Sequence, residues 1–255
     1  MDLLKGKKAL ILGAANDRSI AWGMAEVLHR EGAKIGLTYV NDAIHKRIVP
    51  LAEKVNAQFL TPLDVTQDSH YQALKDVVQK EWGTFDVLIH SIAFANGEDL
   101  KRPFSETSKE GFQLAMDVSV YSFIKLCGLL KDCLNPRSSV MALTYYGSEK
   151  VIPNYNIMGV AKAALESSVR YLAQDLGKQK IRVNAISSGP IKTLAASGVS
   201  GFRDILKVVE EKSPMGENVT TEDVGQLALF LSSTLSERIT GQILYVDSGQ
   251  SIMGL

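Results

Sequence analysis

The sequence predicts an α/β chain: one doubly wound parallel sheet of seven strands with helices on both faces. Three observations predict it. Short apolar runs alternate with longer segments whose apolar positions recur at helical spacing. The apolar runs are nearly continuous, as in strands buried on both faces. No repeat, low-complexity tract or linker rich in Pro, Gly or Ser interrupts the 255 residues, so 1–255 reads as a single domain.

Taken in order, Lys8–Leu12 is a buried strand that ends at the turn residue Gly13. A loop over 14–19 opens a helix at Ile20–Arg30, with Ser19 as N-cap and Gly32 as terminator. Lys34–Tyr39 is the second strand, followed by a polar helix over 42–55. Gln58–Thr61 is the third strand and leads to Asp64-Val65; an amphipathic helix over 67–82 stops before Gly83. Phe85–His90 is the fourth strand, with a loop over Ser91–Lys101 and a long helix over 108–130 behind it. Ser139–Thr144 is the fifth strand. Pro153 biases Ile152 away from helical angles, and with Gly147 it makes 146–152 a loop. The chain then turns helical as far as Gly177, with Ile157, Ala161, Leu165, Leu172 and Leu176 on one stripe. Ile181–Ile186 is the sixth strand, helices lie near 201–212 and 221–231, and Gln242–Val246 is the seventh strand.

Composition narrows the function. Hydrophobic content of 45% supplies a sizeable core. Lys+Arg equals Asp+Glu, which argues against nucleic-acid binding by bulk charge and leaves self-association open. No apolar run approaches a membrane span, and Met1–Lys8 lacks the apolar core of a signal peptide. Cys127 and Cys133 sit in apolar surroundings and read as free buried thiols. The four histidines have no metal-ligand spacing. These features predict a soluble cytoplasmic protein with no metal.

A doubly wound sheet binds ligands outside the carboxyl ends of its strands, and a Rossmann-like first βα turn holds pyrophosphate at a helix N-terminus. The usual G-x-G-x-x-G is missing; Gly13 is followed by a longer loop to Ser19-Ile20, with Gly23 one turn in. By itself this loop also reads as a glycine turn before a capped helix. Between the fifth strand and the next helix lie two tyrosine–lysine pairs, Tyr146/Lys150 and Tyr155/Lys162. The first falls on the loop and has no fixed separation. The second spans seven residues, nearly two helical turns, which points both side chains the same way. A cap-region aromatic and a solvated lysine are the alternative reading of that pair.

Gly13-x5-Ser-Ile-Ala-Trp-Gly23, Ser91-Ile-Ala-Phe94, Tyr145, Tyr155-x6-Lys162 and Gly189-Pro-Ile-Lys-Thr193 together resemble the enoyl-acyl-carrier-protein reductases. These are a divergent, NADH-dependent bacterial branch of the short-chain dehydrogenase/reductases. The resemblance runs from Gly6 to about Met253. Ordinary members of the wider family space the tyrosine and lysine four apart and place a serine on strand five; here Met158 and Ala142 stand near those positions.

The resemblance implies reduction of trans-2-enoyl thioesters carried on acyl carrier protein, the last reductive step of fatty acid elongation. It makes Tyr155 the hydrogen-bond donor to the thioester oxygen and Lys162 the partner of the nicotinamide ribose. Tyr145 becomes a wall, second donor or proton relay. Gly13, Ser19 and Ile20 would meet the pyrophosphate, and Asp64 and Val65 the adenine. Ser91, Ile92 and Ala93 would line the nicotinamide side, with Ile191 and Thr193 on its amide and phosphate. Phe94, Tyr145, Met158, Ala195, Val199 and Phe202 would wall the acyl channel, under a lid over 193–212. That lid also reads as an ordinary amphipathic surface helix, Asp64 as a turn residue, and Tyr145 as a packed strand-end aromatic.

The end of strand two, Thr38-Tyr-Val-Asn-Asp42, holds no Lys or Arg for a 2′-phosphate, which favours NADH over NADPH. The usual acidic ribose partner is also missing unless Asp42 serves. Lys192, Arg203 and Lys207 form a thin basic rim for an acidic carrier protein. By resemblance, the helices near 108–130 and 155–177 pair subunits into a homotetramer. An ordinary carbonyl reductase and a non-catalytic dinucleotide-binding module are the competing readings.

Overall fold

The computed structural model describes residues 2–194, 196 and 201–254. The seven strands are β1 (Lys8–Leu12), β2 (Lys34–Tyr39), β3 (Phe59–Pro62), β4 (Phe85–His90), β5 (Leu134–Thr144), β6 (Arg182–Ser188) and β7 (Ile243–Val246). They form one sheet in the order β3-β2-β1-β4-β5-β6-β7, and every neighbouring pair is parallel. The larger helices are α1 (Ile20–Arg30), α2 (Asp42–Lys54), α3 (Asp68–Glu81), α4 (Gly97–Lys101), α5 (Lys109–Met116), α6 (Ser122–Leu130), α7 (Ile157–Leu176), α8 (Phe202–Lys212) and α9 (Thr221–Ser232).

Alternate residues of each strand feed opposite cores. Leu10, Leu12, Leu88, Val140 and Ala142 pack with α3, α6 and α7 on one face. Ala9, Ile11, Val87, Ile89 and Met141 pack with α1, α2 and α9 on the other. The period of two in a strand enforces this division, and burial on both faces explains the continuous apolar runs.

The chain winds outward from β1 to β3, then crosses back to β4 on the other side of β1. The β1/β4 boundary is therefore the switch point, where the connections leave the paired strands in opposite directions and open a crevice. Gly13 lets the two strand ends come together. Its φ is +90°, and a Cβ there would stand 2.1 Å from the Ser91 carbonyl oxygen.

Several elements differ from expectation. Ser19 stands at the N-cap position of α1, but its hydroxyl makes no capping bond; it donates to the Asn16 carbonyl at 2.5 Å and orders the preceding loop. The long helix is continuous but contains a π turn at Asp117–Tyr121. The helical stretch Lys109–Cys133 is long and apolar enough to cross a membrane, contrary to the expectation that no run would be; Val120, Phe123, Leu126 and Leu130 bury its apolar face in the core. β5 begins five residues early, because Leu134 pairs with Phe85 through a register shift. Cys127 and Cys133 are free and buried.

Helices α1 and α9 meet through glycines. A Cβ on Gly23 would stand 2.5 Å from Thr221 Cβ and 2.7 Å from its carbonyl oxygen. The backbone atom cannot swing away, so Gly23→Ala should cost about 1–3 kcal/mol. Thermal unfolding followed by circular dichroism should show a midpoint several degrees lower.

Candidate active site

One cavity of about 990 Å³ opens at the carboxyl ends of the strands. Gly13, Ser19 and Ile20 line it at the start of α1. The first N–H groups of that helix have no intrahelical acceptor, so they and the helix dipole suit an anion. A Cβ at Gly13 would strike the Ser91 carbonyl and Ile92, so the glycine lets the loops beyond β1 and β4 pack together beside this helix end. Asp64 and Val65 line it beyond β3. Asp64 Oδ1 accepts from Thr66 N–H at 2.9 Å and Thr66 Oγ1 at 2.7 Å, so the side chain also shapes its own turn. The Asp64 N–H donates to His70 Nδ1 at 2.9 Å.

Ser91, Ile92, Ala93 and Phe94 form the wall beyond β4. Ser119, inside the π turn, holds that wall: its hydroxyl accepts from Phe94 N–H at 3.1 Å. Ile191 and Thr193 line the cavity beyond β6, and Phe202 and Ile205 of α8 border it. Ala195 and Val199 lie outside the described residues, as do the Arg203 side chain and most of 195–200.

At the end of β2, Thr38, Tyr39, Val40 and Asn41 line the cavity. Asn41 caps α2 by accepting from Ile44 N–H at 3.0 Å. Asp42 is exposed and does not line the cavity. Among the described residues, Lys162 is the one cation lining the cavity.

Lys162 is buried rather than solvated. Its Nζ donates to the Leu143 carbonyl at 2.6 Å. Burial favours the neutral amine and moves its pKa down from 10.5 to about 8, and the Glu166 carboxylate partly opposes this. Glu166 is itself buried and accepts from Thr144 Oγ1 at 2.6 Å.

Tyr155 is not on the helix that carries Lys162. α7 begins at Ile157, and Tyr155 sits in the turn before it. The two side chains nevertheless line the same cavity. Tyr155 packs edge-on against Tyr145, with ring centroids 5.2 Å apart and planes at 81°. Gly147 makes room for this ring: a Cβ there would stand 2.6 Å from Tyr155 Cδ1. Burial raises both phenol pKa values, that of Tyr145 to about 12, so both stay protonated donors at neutral pH. The Tyr145 hydroxyl is buried without a partner among the described residues. Tyr146 and Lys150 do not line the cavity. Tyr146 packs instead against Tyr245, whose hydroxyl donates to Glu149 at 2.5 Å.

Every described residue assigned to the site from sequence lines this one cavity. Sequence reasoning missed Leu100, Leu114, Val118 and Ile152, which extend its apolar end. The i, i+4 spacing of Leu114 and Val118 was a usable signal; Leu100 and Ile152 had none, because they sit in segments read as loops.

A parallel sheet of this order, with its cavity at the β1/β4 switch point and a tyrosine and lysine beyond β5, is that of the short-chain dehydrogenase/reductase class. The family model described as enoyl-(acyl carrier protein) reductase matches residues 13–251. The NADH enoyl-acyl-carrier-protein reductase FabI of Nostoc is 48% identical over 255 residues, 99% of each chain. The Aquifex aeolicus FabI is 46% identical over all of this chain and 95% of its own. The crystal structure of the Aquifex enzyme superposes with a TM-score of 0.96 over 99% of this chain and 100% of that one. The Anaplasma phagocytophilum reductase, solved with NAD, gives 0.96 at 44% identity, covering 99% and 97%. The chain belongs to the enoyl-acyl-carrier-protein reductase family.

The lowered Lys162 pKa carries a prediction. The side chain is charged below about pH 8 and loses its proton above it. If Lys162 holds the nicotinamide ribose, as the resemblance implies, NADH affinity, followed by fluorescence titration, weakens from about pH 7 to about pH 9.5. The titration near pH 8 should be absent in Lys162→Met.

Proposed function

We propose that this protein reduces trans-2-enoyl thioesters to saturated acyl thioesters with NADH, in fatty acid synthesis, with acyl carrier protein as the bearer of the substrate. The observation that carries the residue assignment is the convergence of Tyr145, Tyr155 and Lys162 on a single cavity that is also lined by Gly13, Ser19 and Ile20 at the start of α1. The residues fit a dinucleotide: a helix N-terminus for the pyrophosphate, a buried ammonium for the ribose hydroxyls, and, among the described residues, no cation lining the cavity at the end of β2 for a 2′-phosphate. NADH, when bound, supplies hydride to the β-carbon of the enoyl group.

The chain's own residues hold and stabilise the other reactant. As the β-carbon is reduced, negative charge develops on the thioester oxygen. Tyr155 is the donor to that oxygen. Its raised pKa keeps the proton on the phenol, so it donates a hydrogen bond throughout. The Lys162 charge favours the same oxyanion across the buried site. The α-carbon then takes a proton from solvent, which completes the saturated thioester and leaves the Tyr155 phenol protonated. The unpartnered Tyr145 hydroxyl has a free donor for a second bond at the reacting end. Phe94, Met158 and Phe202, with Leu100, Leu114 and Val118, exclude water from the acyl chain. The lid expected over 193–212 is represented among the described residues by α8, whose Phe202 and Ile205 border the cavity; Ala195 and Val199 lie outside the described residues.

An ordinary ketone reductase is disfavoured by Met158. It stands four residues before Lys162, where such enzymes place their tyrosine, and its sulfur accepts from Ser119 Oγ at 3.9 Å. We assign the enzyme to the cytoplasm, where its two free thiols persist. We also propose a homotetramer. Phe112, Tyr121 and Ile124 on one helical stretch, and Val160 and Tyr171 on α7, are exposed apolar side chains that subunit pairing would cover.

Tyr155→Phe should lower kcat on crotonyl thioesters about 10²- to 10³-fold, the loss of about 3–4 kcal/mol typical of one oxyanion donor. Unchanged NADH binding would accompany that loss; unchanged kcat would remove Tyr155 from the mechanism. Light scattering at micromolar concentration should give four subunits, and Tyr171→Glu with Ile124→Glu should give smaller species.

A further inference from the structure

Asn156 stands between Tyr155 and the first turn of α7, in a conformation that favours glycine. Its φ is +36° and its ψ −116°, close to the first central residue of a type II′ turn. Met158 N–H closes the turn on the Tyr155 carbonyl at 2.9 Å. The side chain explains why asparagine is there. Its Nδ2 donates to the carbonyls of Leu100 at 3.0 Å and Arg102 at 2.8 Å, with the Asp99 carbonyl at 3.4 Å. Three acceptors around one atom identify that atom as the amide nitrogen.

These carbonyls lie at the C-terminal end of α4, where backbone acceptors have no partner in their own helix. α4 directly follows the Ser91–Asn96 wall of the cavity. Leu100, Ala115, Ile157 and Met158 form a small apolar cluster here, with Ala95 and Tyr155 packed on it. The wall, the turn and the tyrosine therefore form one packed unit outside the two main cores.

We propose that Asn156 is a positioning residue for Tyr155. Its amide ties the turn that carries Tyr155 to the end of α4, and this sets the phenol against the cavity wall. A helix fixes the direction of its own side chains, but Tyr155 lies before α7 and has no such support. Gly147 leaves room for its ring on one side; the Asn156 amide anchors its backbone on the other. Lys162 depends on neither, because it lies within α7 and is held by the Leu143 carbonyl. Loss of the amide therefore loosens Tyr155 and leaves Lys162 in place.

This inference rests on the reading of Tyr155 as the oxyanion donor, and the experiment separates the two. Asn156→Gly retains the freedom to adopt the positive φ and removes only the amide. Asn156→Asp keeps the size and sets a carboxylate against three carbonyls. Both should lower kcat on crotonyl thioesters by about tenfold to a hundredfold, the scale of a small misplacement of a catalytic group. The dissociation constant for NADH should stay within about twofold, since Lys162 is undisturbed. In the Tyr155→Phe background, Asn156→Gly should cause no further loss, because it acts through the hydroxyl already removed. Asn156→Gly with full kcat, beside a crippled Tyr155→Phe, would overturn the role of Asn156 alone. So would losses that multiply in the double variant, or a parallel fall of kcat, NADH affinity and thermal midpoint. Full activity in Tyr155→Phe would overturn the donor assignment and the role of Asn156 with it.

Discussion

Burial of the Lys162 ammonium is the constraint on which the site depends. Taking such a charge out of water costs several kcal/mol unless fixed dipoles and a counter-charge replace the solvent. Here the Leu143 carbonyl supplies the dipole at 2.6 Å, and Glu166, one helical turn further along, supplies the opposing charge. Glu166 is held in turn by Thr144. Both anchors, Leu143 and Thr144, are the last residues of β5. Helix α7 must therefore press against the end of that strand. The same contact directs a cation into the cavity.

The rest of the sheet converges on that point. The connections after β1 and β4 run in opposite directions, and Gly13 allows the first turns beyond the two strands to meet with no side chain between. One end of the cavity is thus backbone and helix terminus, suited to phosphate. The other is lined by Leu100, Leu114, Val118 and Phe202, suited to an acyl chain. Lys162, Tyr145 and Tyr155 line the same space. Hydride donor and enoyl thioester can share it only in a fixed mutual orientation, which is the larger part of what such an enzyme must supply.

Much of this was legible in the residues. β1, α1, β2 and β4 have the expected bounds to the residue, because each is a run of one period closed by glycine or by a polar turn. The seven-residue Tyr155–Lys162 step separated this chain from the carbonyl reductases of the same class. Other features depended on distant contacts. The upstream extension of β5 carries no apolar run of its own and exists because Leu134 finds Phe85. Helix α4 is only five residues long, too short to be specified locally, and is held by Asn156 from across the fold. The expectation that Tyr155 and Lys162 share a helical face was wrong: the chain enters α7 through a positive-φ residue, which periodicity does not register.

By itself, then, the sequence determined the doubly wound sheet, because buried strands, glycine turns and helical stripes are local patterns of polarity and backbone freedom; the family was legible through the resemblance of its motifs, Tyr155-x6-Lys162 above all. The sequence also offered Tyr145, Tyr155 and Lys162, the side chains proposed for the reaction. Only the tertiary structure decided how those side chains are presented. Lys162 is buried because β5 offers it a carbonyl, and Tyr155 stands free of the helix because Asn156 reaches α4 and Gly147 leaves space for the ring. Both depend on contacts between residues far apart in the chain, and no spacing along the sequence encodes the distance between them.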